Sequence, residues 1–188
     1  MEPVDLDLRR SDSGWEPGNP AHPLRLGERA DEALALPEAL SVGLPDSKAE
    51  GAKKHNEVFF SDVATDTDAW FGPTLTGARV AFQLRSQDSP ESLRLRLDPG
   101  AGATLREVEG AIEVVRNGKR VGSMSAPTAF DADDEPLESS LRLKGSDVLI
   151  DVAHRDKDVR YPLALDPAYE GQDSWRNWPD PLRSVRPV

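Results

Sequence analysis

The sequence predicts an all-β protein, an antiparallel β-sandwich preceded by an extended, proline-rich N-terminal lead-in. Three observations support this fold class. Apolar and polar residues alternate over short runs from Glu57 onward, which is the pattern of half-buried strands. The dipeptide Asn117-Gly118 lies between two such runs, as in a tight hairpin. Turn signals recur about every eight to twelve residues, a spacing typical of sandwiches rather than of parallel α/β units.

Residues 1–56 are predicted to form the lead-in. Closely spaced prolines in this segment disfavour long helices and regular sheet ladders. Residues 28–40 contain helix-forming side chains, but Pro37 interrupts them after barely two turns, so a short helix and an extended strap are both compatible with this stretch. The prolines of the segment are Pro3, Pro17, Pro20, Pro23, Pro37 and Pro45.

Residues 57–169 are predicted to form the sandwich itself. Val58 opens the first apolar run, and residues 78–85 then alternate with Val80, Phe82 and Leu84 on one face. The next run buries every second residue as leucine and places arginines on the opposite face. Further alternating runs surround the Asn117-Gly118 turn and follow it. Their apolar members are Leu93, Leu95, Leu97, Ile112, Val114, Val121, Leu141, Leu143, Val148, Ile150 and Val152.

The run from Tyr161 to Pro167 is predicted to be the last strand of this domain. Pro162 supplies no amide donor, so we expect it at a sheet edge or facing away from the neighbouring strand. Asp166-Pro167 reads as a strand-ending turn and as a junction to whatever follows. Residues 170–188 are then expected to be a polar C-terminal tail that contains tryptophan and proline.

Charge and composition exclude several classes of function. The 34 acidic and 23 basic residues give a formal charge of -11, which disfavours nucleic acids and anionic membranes as partners. The chain has no cysteine, so disulfides, thiolate zinc sites and cysteine nucleophiles are excluded. We find no signal peptide and no apolar stretch of the roughly 20 residues that span a bilayer, so we expect no membrane insertion.

Asp62, Asp66 and Asp68 form the sharpest chemical cluster. Closely spaced carboxylates on a loop supply the hard oxygen ligands that Ca²⁺ needs, so a structural calcium ion is one interpretation. The alternative is that these residues cap turns, because the spacing lacks the glycine and distal glutamate of an EF-hand. Residues 131–135 allow the same two interpretations, and Pro136 beside them favours a solvated turn.

Trp70, Trp175 and Trp178 are the candidate binding aromatics. Exposed indole rings combine an apolar face with a polar tip and so suit glycans or a partner surface. The alternative places Trp70 in the core and docks the two tail tryptophans onto the sandwich. Exposure of the rings beside a groove is the observation that separates the two.

No constellation predicts catalysis. His22, His55 and His154 are far apart and lack a zinc-binding spacing, so we expect them at the surface or in turns. A Gly-x-Ser-x-Gly elbow, a Walker loop and a Gly-x-Gly-x-x-Gly fingerprint are all missing from the sequence. We therefore expect a protein that is not an enzyme and, apart from the calcium hypothesis, has no cofactor.

Five short segments, taken in order, resemble a β-rich module found upstream of the repeats in large secreted RHS/YD-repeat, wall-associated proteins of Gram-positive bacteria, especially actinobacteria. The resemblance covers about Trp15 to Trp178, most of the chain. The segments are VFFSDVATDTD (58–68), PTLTG (73–77), LRS (84–86), APTAFDA (126–132) and YPLALDP (161–167).

The resemblance implies a non-catalytic module of an exported, cell-surface or toxin-delivery polypeptide. Its partners would be other modules of the same or a longer chain, with cell-wall glycan as a further partner. The sequence contains no Tyr-Asp repeat and no toxin region, so shell formation is not carried over, and we expect a truncated relative, a segment of a longer product or a freestanding use of the module. A carbohydrate-binding or adhesin-like sandwich, stabilised by calcium in one version, is the alternative.

Overall fold

A computed structural model describes residues 3–37 and 40–171, and these residues are almost entirely β-structure. They form two antiparallel sheets, one of eight strands and one of eleven. A 3-10 turn, Ala30–Glu32, interrupts the strands. The predicted all-β antiparallel sandwich is therefore confirmed.

The strands fall into three groups along the chain. The early strands are β1 Asp5–Ser11, β2 Gly14–Asn19, β3 Arg25–Leu26, β4 Leu34–Ala35, β5 Ser41–Gly43 and β6 Gly51–Lys54. The middle strands are β7 Glu57–Ala64, β8 Thr67–Pro73, β9 Gly77–Leu84, β10 Ser92–Asp98, β11 Ala103–Val108, β12 Ala111–Arg116 and β13 Lys119–Met124. The last are β14 Thr128–Phe130, β15 Pro136–Leu137, β16 Ser139–Lys144, β17 Asp147–Val152, β18 Leu163–Asp166 and β19 Ala168–Gly171.

The smaller sheet has the strand order β1-β2-β3-β4-β5-β10-β17-β16. In the larger sheet β9 is central. On one side it pairs with β8, which leads to β7 and β6, and on the other side it pairs with β18 and β19. β18 continues to β14 and β15, whereas β19 continues to β13, β12 and β11.

One hydrophobic core fills the space between the two sheets. Phe60, Phe71 and Phe82 extend into it from the larger sheet, and Leu95 and Leu97 from the smaller one, all essentially inaccessible to solvent. These residues alternate with outward-facing ones, as the two-residue period of a strand requires. The inner faces therefore account for the apolar half of each alternating run.

The predicted strands and the predicted hairpin are present. Leu93, Leu95 and Leu97 are buried on β10, as their alternation with polar residues indicates. Asn117 and Gly118 connect β12 to β13 with φ angles of 51° and 74°. Positive φ at both central positions is the geometry that this dipeptide favours.

The N-terminal segment contributes more than the expected lead-in. Residues 5–43 form β1 to β5, which pair in sequence until β5 reaches β10 of the smaller sheet. The prolines shorten these strands rather than abolish them, because only Pro17 lies within a strand and the others fall between strands or in turns. In the described part of residues 28–40, the helix-forming stretch yields the 3-10 turn at Ala30–Glu32 and no α-helix.

The run from Tyr161 to Pro167 differs from the prediction in two respects. It is not the last strand, because the chain continues past Pro167 into β19 in an unchanged register against β9. It does not lie at an edge, because β18 has β9 on one side and β14 on the other. Pro162 is accommodated because it precedes β18, and Pro167 because it separates β18 from β19, so neither has to donate within those strands.

Candidate functional site

Within the described residues, the outer face of the larger sheet is unusual because it leaves aromatic side chains partly open to solvent. Across β8 and β7 it presents Trp70 beside Phe59, and Ala81 of β9 lies directly opposite Trp70 on its other side. Because alternate residues of a strand face the same side, these side chains and the charged residues two positions away form one continuous surface.

Trp70 and Phe59 form the aromatic centre of this face. Their ring centroids lie 4.8 Å apart, with the ring planes tilted by 47°. The ammonium Nζ of Lys54 stands 3.9 Å from the centroid of the Phe59 ring, a cation–π arrangement. Both rings are half-buried, so each keeps part of its surface open to solvent. The core alternative for Trp70 is therefore wrong, since this side chain lies on the outer face.

A floor of small residues extends from Trp70 toward a second aromatic ring. Gln83 pairs with Ala164, and Ala164 pairs with Phe130 on β14. The Phe130 side chain is 40% exposed, an unusual value for a large apolar residue in a strand. The side-chain amide of Gln83 forms no hydrogen bond with the part of the chain that the structure describes. The small side chains of Ala81 and Ala164 stand lower than the two rings. We call the strip of outer face between the rings, with Trp70 and Phe130 at its ends and the Gln83 amide inside it, the trough.

A cluster of three ion-paired residues borders one long side of the trough. The Arg79 guanidinium donates through Nε to both carboxylate oxygens of Asp166, at 3.0 Å each, and through Nη1 to Glu57 Oε1 at 3.0 Å. Hydrogen bonding to Asp166 is the main cause that raises the pKa of Arg79. Gly72 makes room for this cluster, because a Cβ there would lie 2.7 Å from Glu57 Cγ.

The predicted aspartate cluster borders the other long side of the trough, and the Arg85 guanidinium lies between its carboxylates. The Nη1 atom of Arg85 lies 3.1 Å and 3.2 Å from the two carboxylate oxygens of Asp68. The Nη2 atom bonds to Asp62 and lies 3.8 Å from Asp66 Oδ1. Hydrogen bonding to Asp62 is the main cause that raises the pKa of Arg85. The structure thus brings the three predicted residues together around a guanidinium.

Local backbone geometry explains why aspartate stands at these positions. Asp62 and Asp66 have φ angles of 51° and 45°, in the left-handed region that aspartate tolerates better than most residues. Asp68, almost fully buried, accepts a 2.9 Å hydrogen bond from the Asp62 amide and so holds the β7 bulge. Asp66 accepts a 2.6 Å bond from the Ser86 hydroxyl. All three residues therefore have structural tasks.

The second acidic run, residues 131–135, is organised as a turn. Asp131 accepts hydrogen bonds from the backbone amides of Asp133, Glu135 and Arg160, and the Arg160 bond is the main cause that lowers its pKa. The Arg160 side chain pairs with Asp133 at 2.7 Å. A surface cavity of about 420 Å³ adjoins this turn, bordered by Asp131, Glu135, Pro136, Leu137, Glu138, Lys157, Asp158 and Val159.

His154 is buried where two connections between the sheets meet. Its Nδ1 lies 2.7 Å from the Tyr161 hydroxyl, and its backbone amide donates to Glu91 Oε1 at 2.8 Å. Burial lowers the pKa of His154 below its ordinary value of 6.5. Its contacts fix the 86–91 loop to the start of β18. The expectation of a surface or turn position for this histidine is therefore wrong.

Sequence reasoning found Trp70 but missed Phe59, Phe130, Ala164 and Gln83 as members of the same surface. These residues come from four strands, and only the pairing register makes them neighbours. The one sequence signal that could have found part of this surface is the phenylalanine two positions after the polar threonine in the run Thr128–Phe130, since alternate residues of a strand share a face. Trp175 and Trp178, the other two predicted aromatics, lie outside the described residues.

Comparison with known proteins gives no relative. No protein-family model, no curated protein and no solved structure matches this chain. Within residues 3–37 and 40–171, no three histidine, cysteine or acidic side chains are grouped so that they could hold a metal ion. The same residues include no helix with the length and apolar character needed to cross a membrane.

Proposed function

We propose that the chain is a non-catalytic structural and interaction module of a longer, exported polypeptide of the RHS type. The outer face of the larger sheet is the observation that carries this proposal, because Trp70 and Phe130 remain partly exposed on a regular strand surface. The polar clusters that suggested chemistry are engaged within the fold instead, around Arg85 and Asp131. Such a division suits a domain that binds and positions other molecules.

The setting we propose is extracellular or at the bacterial cell surface. Support comes from the ordered motifs shared with the actinobacterial module, and the proposed partners are other modules of the same polypeptide. The reading frame on either side of the coding sequence tests this setting. A leader upstream and Tyr-Asp repeats downstream are expected, and a frame that closes directly at both ends contradicts it.

The interaction role has its own test. The modules encoded on either side, where the frame contains them, are expressed and their affinity for the full chain is measured by calorimetry. Trp70→Ala should weaken the association, whereas Leu149→Ala, half-buried on the outer face of the smaller sheet, is the matched control and should leave it unchanged. Equal effects of the two variants would contradict the assignment of the face.

Carbohydrate binding is the second candidate function. A tilted aromatic pair with open ring surface favours it, since sugar rings stack on such surfaces while nearby polar groups bind the hydroxyls. Cell-wall glycan is the proposed ligand in this version. Retention of the chain by insoluble cell-wall polysaccharide, lost in Trp70→Ala, is the expected result. Equal retention of the parent and the variant would count against it.

We propose that Asp62, Asp66 and Asp68 bind Arg85 in place of a structural calcium ion. Arg85 already supplies positive charge between these carboxylates, so we expect neither EDTA nor Ca²⁺ to change the melting temperature. The measurement is made on the parent chain and on Asp62→Ala and Asp66→Ala. A rise of several degrees with Ca²⁺ in the parent, absent from both variants, would establish the metal site.

A further inference from the structure

The trough between Phe130 and Trp70 has the dimensions of an elongated small ligand. Phe130 lies on β14 and Trp70 on β8, with β18 and β9 between them. Neighbouring strands are about 4.8 Å apart, so β14 and β8 lie about 14 Å apart across the sheet. Trp70 is also two residues, about 7 Å, along the strand from the row that contains Phe130, so the two positions are about 16 Å apart. Ala164 and Ala81 form the low floor between them. An extended trisaccharide covers this distance.

The polar groups of the trough suit a ligand with many hydroxyl groups. The unpaired Gln83 amide offers two donors and an acceptor in the middle of the floor. On each long side of the floor, a carboxylate and a guanidinium hold each other in place. The pairs are Arg79 with Asp166 on one side and Arg85 with Asp68 on the other. Groups held in this way bind hydroxyls without first losing conformational freedom.

The charges disfavour an anionic ligand. Three cations, Lys54, Arg79 and Arg85, face three anions on this surface, and the anions are Glu57, Asp68 and Asp166. Asp62 and Asp66 add negative charge beyond Arg85. An anionic polymer would therefore be repelled on the side of the trough that carries Arg85. The formal charge of the whole chain, -11, acts in the same direction.

A sugar chain laid across the strands uses this face differently from a protein partner. Stable protein interfaces bury about 800 Å² on each partner around an apolar centre. Here the Trp70–Phe59 pair is separated from Phe130 by alanines and the Gln83 amide and is bordered by ion pairs, so the strip between the rings is not one continuous apolar centre. Separate rings with polar groups between them instead match the alternation of apolar ring faces and hydroxyls along an oligosaccharide.

We propose that a neutral oligosaccharide binds across strands β14, β18, β9 and β8. One sugar ring stacks on Phe130, another stacks on Trp70, and the hydroxyls between them bond to the Gln83 amide. This inference rests on the second candidate function and adds to it the class of ligand and its direction across the strands. It also adds three residues that the sequence analysis did not select, namely Phe130, Gln83 and Phe59. Phe59 packs against Trp70 from β7, on the side of β8 that faces away from the trough, through the tilted ring contact.

The test uses the full chain and three trisaccharides as probes. Cellotriose and triacetylchitotriose are neutral, and trigalacturonate is the anionic comparison. Calorimetry measures each affinity for the parent and for Phe130→Ala, Trp70→Ala, Gln83→Ala and the control Leu149→Ala. Loss of one stacked ring should weaken binding of a neutral probe by between about twofold and tenfold, and the control should not weaken it. Circular dichroism confirms that each variant is folded.

The outcomes separate this inference from the function on which it rests. Dependence on both Phe130 and Trp70 supports the inference. Dependence on Trp70 alone overturns it and leaves carbohydrate binding intact, and preference for trigalacturonate overturns the assignment of a neutral ligand. If neither neutral probe binds, the inference fails, and retention on insoluble polysaccharide then decides the second candidate function separately. Binding of a neighbouring module through Phe130 and Trp70, with neither neutral probe bound, identifies a protein partner and also overturns it.

Discussion

The outer faces of the two sheets solve the same problem in different ways. On the smaller sheet, charged side chains cover the surface. Asp147 accepts from Arg96 at 2.8 Å and from Arg94 at 3.3 Å, and Asp151 accepts from Arg142 at 2.6 Å. On the larger sheet, ion pairs lie along both sides of the trough and on β11 to β13, whereas aromatic rings and alanines occupy the strip across β14, β18, β9 and β8.

The two outer faces differ in how much aromatic surface they leave open to solvent. Cross-strand ion pairs keep an outer face soluble and contribute little to stability. A half-exposed tryptophan and a 40% exposed phenylalanine do not improve solubility, and they bury less apolar area than core positions would. These two rings are therefore the groups on which the proposed binding role depends.

The largest expected effect concerns the inner faces, which the two sheets share. Phe82→Ala in the larger sheet and Leu95→Ala in the smaller one should each lower the free energy of unfolding by about 3 to 5 kcal/mol, because both side chains are buried in one core. Chemical denaturation checks this. Both variants should unfold in one transition, and separate transitions for the two sheets would show that the core is not shared.

A smaller effect compares one carboxylate from each outer face. Asp68→Ala removes a nearly buried acceptor of the Asp62 amide and of Arg85, so we expect a loss of about 2 kcal/mol. Asp151→Ala removes a more exposed partner of Arg142 and should cost less than about 1 kcal/mol. Urea unfolding of both variants gives the comparison. Equal losses would mean that the two ionic surfaces are equivalent.

The pH dependence should report on the junction between the sheets. The folded protein holds the pKa of His154 below 6.5, chiefly by burial, with Arg155 acting in the same direction and Glu91 in the opposite one. Protonation below pH 6.5 therefore favours the unfolded chain, and stability present above that pH is lost as the pH falls. Melting temperatures at pH 7 and pH 5 should differ less in His154→Gln than in the parent, and an unchanged difference would contradict this role.

Local sequence signals were sufficient for the alternating strands. Leu93, Leu95 and Leu97 indicated β10 because burial of every second residue has no other simple explanation, and Asn117-Gly118 indicated the hairpin through its backbone preference. The short strands β3 to β5 escaped prediction because runs of two or three residues carry no period. They exist because the neighbouring strands and the core hold them.

The candidate site was harder to predict, for a different reason. Trp70 was visible as an unusual residue type, and the aspartates near it as a cluster. The pairing of Phe130 with Ala164, and of Ala164 with Gln83, depends on long-range register that no local pattern encodes. Arg85 likewise reaches Asp62, Asp66 and Asp68 only because β8 and β9 are neighbours.

The smallest expected effect is the change in stability when Phe130 is truncated. Its side chain is 40% exposed and ends a three-residue strand, so Phe130→Ala should change the free energy of unfolding by less than about 0.5 kcal/mol. Thermal and urea unfolding check this against Leu141→Ala, a buried residue on the smaller sheet that should cost several times more. A large loss in Phe130→Ala would mean that the ring is needed for folding. A negligible loss, together with weaker binding of a neutral trisaccharide, would show that the larger sheet keeps this ring for its ligand, in contrast to the charged face of the smaller sheet.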